Sequence, residues 1–159
     1  MAILNATNMA TPKAIISGAE CATAATPFGA LSEFYRAFNN RNLELMRENW
    51  CPEECVLDNP LGSIRRGWAE IEPLYKRLFS GPARVKVVFF DYTLHVGEDL
   101  FCAAGRERGS FENGDVKLDL AIRTSRIYRK VDGQWRQIHH HGSIDDPELL
   151  ARYQAAAIG

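Results

Sequence analysis

The chain has 159 residues, 46% hydrophobic and 25% charged, with a formal net charge of -1 at pH 7. That is the size of one domain able to bury roughly two-thirds of the surface its unfolded form exposes, and the near-zero charge excludes the basic footprint of a nucleic-acid or anionic-membrane binder. No run of about 18 apolar residues occurs, so no membrane-spanning segment is expected. The four cysteines include no Cys-x-x-Cys pair, which suits reduced thiols in a cytoplasmic protein.

Residues 1–27 are rich in Ala, Thr, Asn and Ser, and their apolar stretches are short, such as Ala14-Ile15-Ile16. They are expected to form a poorly ordered extension, a clipped targeting segment being the alternative, and residues 28–159 a single domain. Leu31, Phe34, Tyr35 and Phe38 recur at i, i+3, i+4 and i+7, which predicts an amphipathic helix over 28–39. Asn42 is a natural N-cap for a second helix through Met46 and Trp50, closed by Pro52. Residues 56–58 read as a short strand entering the Asn59-Pro60-Leu61-Gly62 turn. A third helix carries Trp68, Ile71, Leu74, Tyr75, Leu78 and Phe79; Pro73 places its regular start near Glu70, so that the proline falls in the first turn.

From residue 84 the pattern becomes β. A run from Val85 to Leu94 turns at Gly97-Glu98-Asp99, returns to Phe111, and turns again with Asn113-Gly114 as the core. The next strand alternates cleanly: Val116, Leu118, Leu120, Ile122, Thr124, Arg126 and Tyr128 share one face, so Arg126 stands in an apolar register. Asp132-Gly133 supplies the positive φ angles of a tight primed turn. The last strand runs from Trp135 to Ile144, and a short helix starts at Asp145-Asp146-Pro147. Helices followed by an antiparallel meander imply an α+β fold, helices packed on one face of a curved sheet that leaves a pocket at the open end of a cone. His139, His140 and His141 are not expected to make a metal site, because alternation sends His140 to one face and its neighbours to the other, so at most two could share an ion and a further ligand would have to come from His95 or Asp91. Arg65, Arg66, Arg106 and Arg108 form no stripe with interleaved aromatics and read as solvated surface.

The Val-x-Asp-Asn-Pro-x-Gly turn, the segment Arg65-Arg66-Gly67-Trp68-Ala69-Glu70-Ile71 and the final Trp-x-x-Ile-His-x-His-x-Ser resemble the nuclear transport factor 2-like superfamily over about residues 28–144. Within it the chain looks most like SnoaL-like proteins and the association domain of calcium/calmodulin-dependent protein kinase II. The resemblance implies a cystatin-like cone, a curved and mostly antiparallel sheet wrapped on N-terminal helices, with homodimers formed through the outer sheet face and a pocket for a small molecule.

Carried over residue by residue, the resemblance puts Arg126 where the kinase association domain has a pocket arginine, nine residues before Trp135. A buried guanidinium needs a carboxylate, water or an anionic ligand, so Arg126 is either a ligand-binding residue or half of a structural ion pair. A second pocket arginine of that family is replaced here by Gly142. The catalytic aspartate of ketosteroid isomerase-like members falls on Asp58 or Asn59, depending on whether Val56 or Pro60 fixes the alignment; only Asp58 could act as a base. The isomerase's second acid falls near Thr124 or Ser125, which cannot replace it.

Tyr35 lies near the isomerase's hydroxyl donor, the alternative being a core aromatic. Tyr128, on the face of Arg126, joins Arg126, Tyr35 and Asn59 as a ligand-binding candidate. The matched pattern turns Ile138, His140 and position 142 into the cone, and His139, His141 and Trp135 outward. His140 is then a pocket proton carrier or a hydrogen-bonded core histidine. Two functions result: a cofactor-independent isomerase, cyclase or lyase using Asp58 or His140, or a non-catalytic ligand-binding or oligomerisation domain. Neither calls for a cofactor, a metal, nucleic acid or a membrane.

Overall fold

The computed structural model describes residues 14–158. Helix α1 (Pro27–Asn39) begins at Thr26, whose Oγ1 accepts from the Gly29 amide at 3.0 Å, with Pro27 in the first turn. Its predicted stripe is the one it buries, with Leu31, Phe34 and Tyr35 at 2% exposure or less. Helix α2 (Leu43–Asn49) is capped by Asn42 as expected. Helix α3 (Trp68–Ser80) starts two residues before Glu70 and carries Pro73 inside it. Pro73 and Ala69, whose carbonyl loses its partner, both face solvent, so water can satisfy the freed group.

Six strands form one sheet: β1 (Val56–Asp58), β2 (Arg65–Arg66), β3 (Arg84–Val96), β4 (Leu100–Asn113), β5 (Val116–Val131) and β6 (Gln134–Ser143), in the order β2-β1-β6-β5-β4-β3. Only the β1–β6 pair is parallel. The β5–β6 turn is the predicted Asp132-Gly133, at φ 51° and 77°. The β4–β5 turn is centred one residue later than expected, on Gly114-Asp115, with only Gly114 at positive φ.

The long strands bend around the helices. A bulge in β3 puts Asp91 at φ 47° and shifts the register between Phe90 and Thr93, opposite Gly105. A second irregularity lies where β6 pairs with Ile127 and Tyr128 of β5. Such bulges curve a sheet and raise its twist. Helix α1 packs on β3 and β6, α2 on β6, and α4 (Pro147–Ile158) on β5. The opposite, outer face of β4 and β5 stands exposed at Ala104, Arg106, Arg108, Ala121 and Arg123. Among the described residues no helix is long and apolar enough to cross a membrane.

The poorly ordered extension needs correction from residue 14 onward. Ile16 is fully buried and exchanges both backbone hydrogen bonds with Phe89, at 2.8 and 2.9 Å. Glu20 accepts from the Ser17 and Gly18 amides and from Ser32; although burial opposes it, these bonds hold its carboxyl down to about 2. Residues 1–13, the rest of that expectation, lie outside the described residues.

Candidate functional site

The sheet, α1, α3 and α4 enclose a cavity of about 600 Å³ of free space, mouth included, of which about 60 Å³ is reachable by the centre of a water molecule. Its walls are mainly apolar, with Phe38, Leu57, Leu74, Val87 and Ile122 among them. Glu107, Arg126, His140 and Asn59 bring polar atoms to the lining.

Alternation along β5 turns Arg126 inward, and its side chain is wholly buried. Its Nη2 donates to Glu107 Oε1 at 2.8 Å, Nη1 to Gln137 Oε1 at 2.7 Å, and Nε to the Tyr35 hydroxyl at 3.3 Å. Its guanidinium carbon stands 3.6 Å from the centre of the Phe34 ring, a cation–π contact out of water. Tyr35 in turn donates to Glu107 Oε1 at 2.6 Å. Burial works against the charge of Arg126, but Tyr35 and Glu107 outweigh it and its pKa lies above the ordinary value. Burial likewise pushes Tyr35 well above the usual phenol range, so it stays protonated as a donor.

A second layer holds this pair. Gln137 and Tyr128 both donate to Asn49 Oδ1, at 3.4 and 3.1 Å, and Asn49 Nδ2 donates to the Ala30 carbonyl and to Glu33.

His140 lies on β6 beside Arg126 and Leu57, its cross-strand partners. It is 7% exposed, and its Nδ1 is buried without a hydrogen-bond partner. Burial first, then the Arg126 charge, lower its pKa well below 6.5, so the ring is neutral near pH 7.

Several expectations change. Asp58 points away from the cavity: pairing β1 in register with β6 aligns it with His141, whose Nδ1 lies 2.9 Å from Asp58 Oδ2 on the outer face. Asn59 does line the cavity, with its Oδ1 closing an Asx turn onto the Leu61 amide. Tyr35 and Tyr128 are fully buried with their hydroxyls bonded inside the protein, outside the cavity lining, so they support the site from behind. Trp135 is buried in the core at 5.0 Å from Phe101 instead of facing outward, and Ile138 is half-buried and outside the cavity lining instead of in the cone, because the β6 irregularity shifts the inward set from Trp135 and Gln137 to His140 and Gly142.

Glu107 is the principal residue the sequence reading passed over. Its signal was the alternation Phe101-x-Ala103-x-Gly105-x-Glu107-x-Gly109-x-Phe111, which sets one carboxylate in the inward register of β4. Among the described residues, no group of three His, Cys, Asp or Glu could hold a metal.

The family model for the SnoaL-like domain matches residues 29–147. No curated protein matches the chain. Among solved structures it is similar to a candidate calcium/calmodulin-dependent protein kinase type II association domain from Thiobacillus denitrificans, at 25% identity and a TM-score of 0.61, over 76% of this chain and 96% of that one. A candidate association domain of the same kind from Xanthomonas campestris has 21% identity and a TM-score of 0.64, covering 81% and 94%. A candidate dehydratase of the NTF2-like family from Streptomyces avermitilis has 17% identity and a TM-score of 0.65, covering 72% and 89%. With three-quarters of its length matched by the family model and a cystatin-like α+β architecture, the chain belongs to the SnoaL-like domain family of the nuclear transport factor 2-like superfamily.

Proposed function

We propose that this protein binds a small, mainly apolar organic molecule in its cone, with one polar group of the ligand at the end lined by Glu107 and His140. The supporting observation is the pairing of apolar walls with a buried histidine in the lining whose Nε2 meets no described hydrogen-bond partner and, unlike Nδ1, is not sealed in, since buried polar groups without a protein partner are rare in folded proteins and an apolar pocket with a few convergent polar groups is the usual form of a ligand site. A second reading is proton transfer on that ligand, as an isomerase, cyclase or lyase would perform it. It is favoured by a neutral imidazole and a carboxylate lining one cavity. Asp58, on the outer face, has no part in it.

A fluorescence titration with 2-naphthol tests the proposal. Saturable binding is expected, weakened about 10-fold by His140→Gln, which corresponds to about 1.4 kcal/mol and to one neutral hydrogen bond. Because His140 titrates well below 6.5, affinity should be flat from pH 8 to pH 6 and fall only in more acidic solution. Binding indifferent to His140→Gln, or tracking a midpoint near 6.5, would overturn the reading.

The proposal also takes the outer sheet face, where Ala121 is exposed and Ile127 and Ile138 are half-buried, as the surface on which two copies pair. Sedimentation at micromolar concentration should then give twice the chain mass; a single-chain mass counts against it.

A further inference from the structure

Among the described residues lining the cavity, Arg126 carries the one guanidinium, and its charge is already matched from inside the protein. The partner is Glu107, with side chains 1% and 6% exposed across a 2.8 Å contact. Both hydrogen bonds that Glu107 receives, from Arg126 and from Tyr35, arrive at Oε1. No described residue donates to Oε2, and that atom is not sealed from solvent as His140 Nδ1 is. As half of an ion pair it can only accept. Oε2 is therefore a carboxylate oxygen available to whatever enters the cavity.

The remaining polar lining is neutral. His140 is uncharged, and with Nδ1 walled in, Nε2 is the nitrogen left for a ligand. Asn59, Tyr75 and Tyr153 carry no charge. Arg126 and Glu107 cancel, so the wall has no net charge. An anion entering here would lose its water, find no free cation among the described lining residues and meet Glu107 Oε2, an acceptor facing an acceptor. A ligand with an O–H or N–H group would give Oε2 the donor it lacks.

We propose that Glu107 acts as a built-in carboxylate that occupies the anion site of Arg126 and turns the pocket into one for uncharged molecules bearing a hydrogen-bond donor on an apolar body, such as an alcohol, phenol, enol or amide. This rests on the cavity being the ligand site. It makes Glu107 the residue that sets ligand class, and Arg126 a positioning residue for Glu107.

One ring system with three head groups separates the cases at pH 7 on the full chain: 2-naphthol, a donor; 2-methoxynaphthalene, an acceptor only; and 2-naphthoate, an anion. In the wild type 2-naphthol is expected to bind at least 10-fold more tightly than either of the others. Glu107→Gln frees the Arg126 cation and should raise 2-naphthoate affinity at least 10-fold, reversing the order. Since that variant strands a buried charge and can unfold the chain, the paired variant Glu107→Met with Arg126→Met provides the second arm. It removes both charges, and the advantage of 2-naphthol over 2-methoxynaphthalene should shrink to within 2-fold.

Wild-type binding of 2-naphthoate as tight as 2-naphthol, or a preference for 2-naphthol that survives the paired variant, overturns the role of Glu107 and leaves the cavity as a binding site. Failure of all three probes to bind the wild type overturns the binding reading itself and takes this inference with it.

Discussion

Arg126→Met is expected to destabilise the protein by about 3–5 kcal/mol, because it leaves the Glu107 carboxylate buried with its cationic partner gone. For a chain of this length that is a fall in Tm of about 6–20 °C, and it is a large share of the whole folding free energy of about 5–15 kcal/mol. The size follows from burial. Arg106–Asp91, also an arginine–carboxylate contact, has both side chains more than half exposed, and such surface pairs contribute little.

The paired variant Arg126→Met with Glu107→Met supplies the internal control. Two apolar side chains of similar length replace two charges, so no unpaired ion remains, although the Tyr35 hydroxyl loses both its partners and Gln137 loses one. Its stability should return to within about 2 kcal/mol of wild type, the remaining cost being those orphaned groups. Urea unfolding of the four proteins in the cycle gives the coupling directly. A loss below 1 kcal/mol in Arg126→Met would mean that the pair is solvated, and the charge argument for the cavity would go with it.

What could be read in advance divides along physical lines. Where a few neighbouring residues decide the backbone, as Asp132-Gly133 does with two positive φ angles or Asn42 with its cap, the local chemistry was legible. The inward register of Arg126 was legible for a similar reason: β5 is long, and its alternation is regular through Tyr128. Asp58 was not, because a three-residue strand carries too little alternation to fix a face; its direction comes from the register with His141, a contact 83 residues away in sequence. Glu107 was hidden between Arg106 and Arg108, which read as one charged surface run, while the two glycines around it weakened the apolar period. The orientation of Trp135 and Gln137 depends on an irregularity in β6 that no residue announces, since neither glycine nor proline marks it. Residues 14–26 pack mainly through Ile16, Ala24 and Glu20 among weakly apolar neighbours, a tertiary fit without a period to detect.

The same two glycines, Gly105 and Gly109, lead to the second large effect. They flank Glu107 on β4 and are the points where β3 comes closest. A Cβ on Gly109 would stand 1.8 Å from the Lys86 carbonyl oxygen and 2.8 Å from Val87 Cα; one on Gly105 would stand 2.6 Å from Tyr92 Cβ. Neither glycine has a positive φ, so the demand is for space and not for a special conformation. Backbone cannot step aside as a flexible side chain can, and β3 would have to lift from β4 at the bend that wraps the sheet over α1.

Gly105→Ala and Gly109→Ala are each expected to cost about 3 kcal/mol in urea unfolding. They should also weaken 2-naphthol binding in the protein that does fold, because Glu107 rides on the displaced segment. Gly114→Ala separates space from conformation: it has φ 59° and nothing within 4 Å of the added carbon, so only the intrinsic penalty of about 1 kcal/mol applies. If the two β4 variants proved no more costly than Gly114→Ala, the close approach of β3 would not be what shapes the cone, and the position of Glu107 would need another cause.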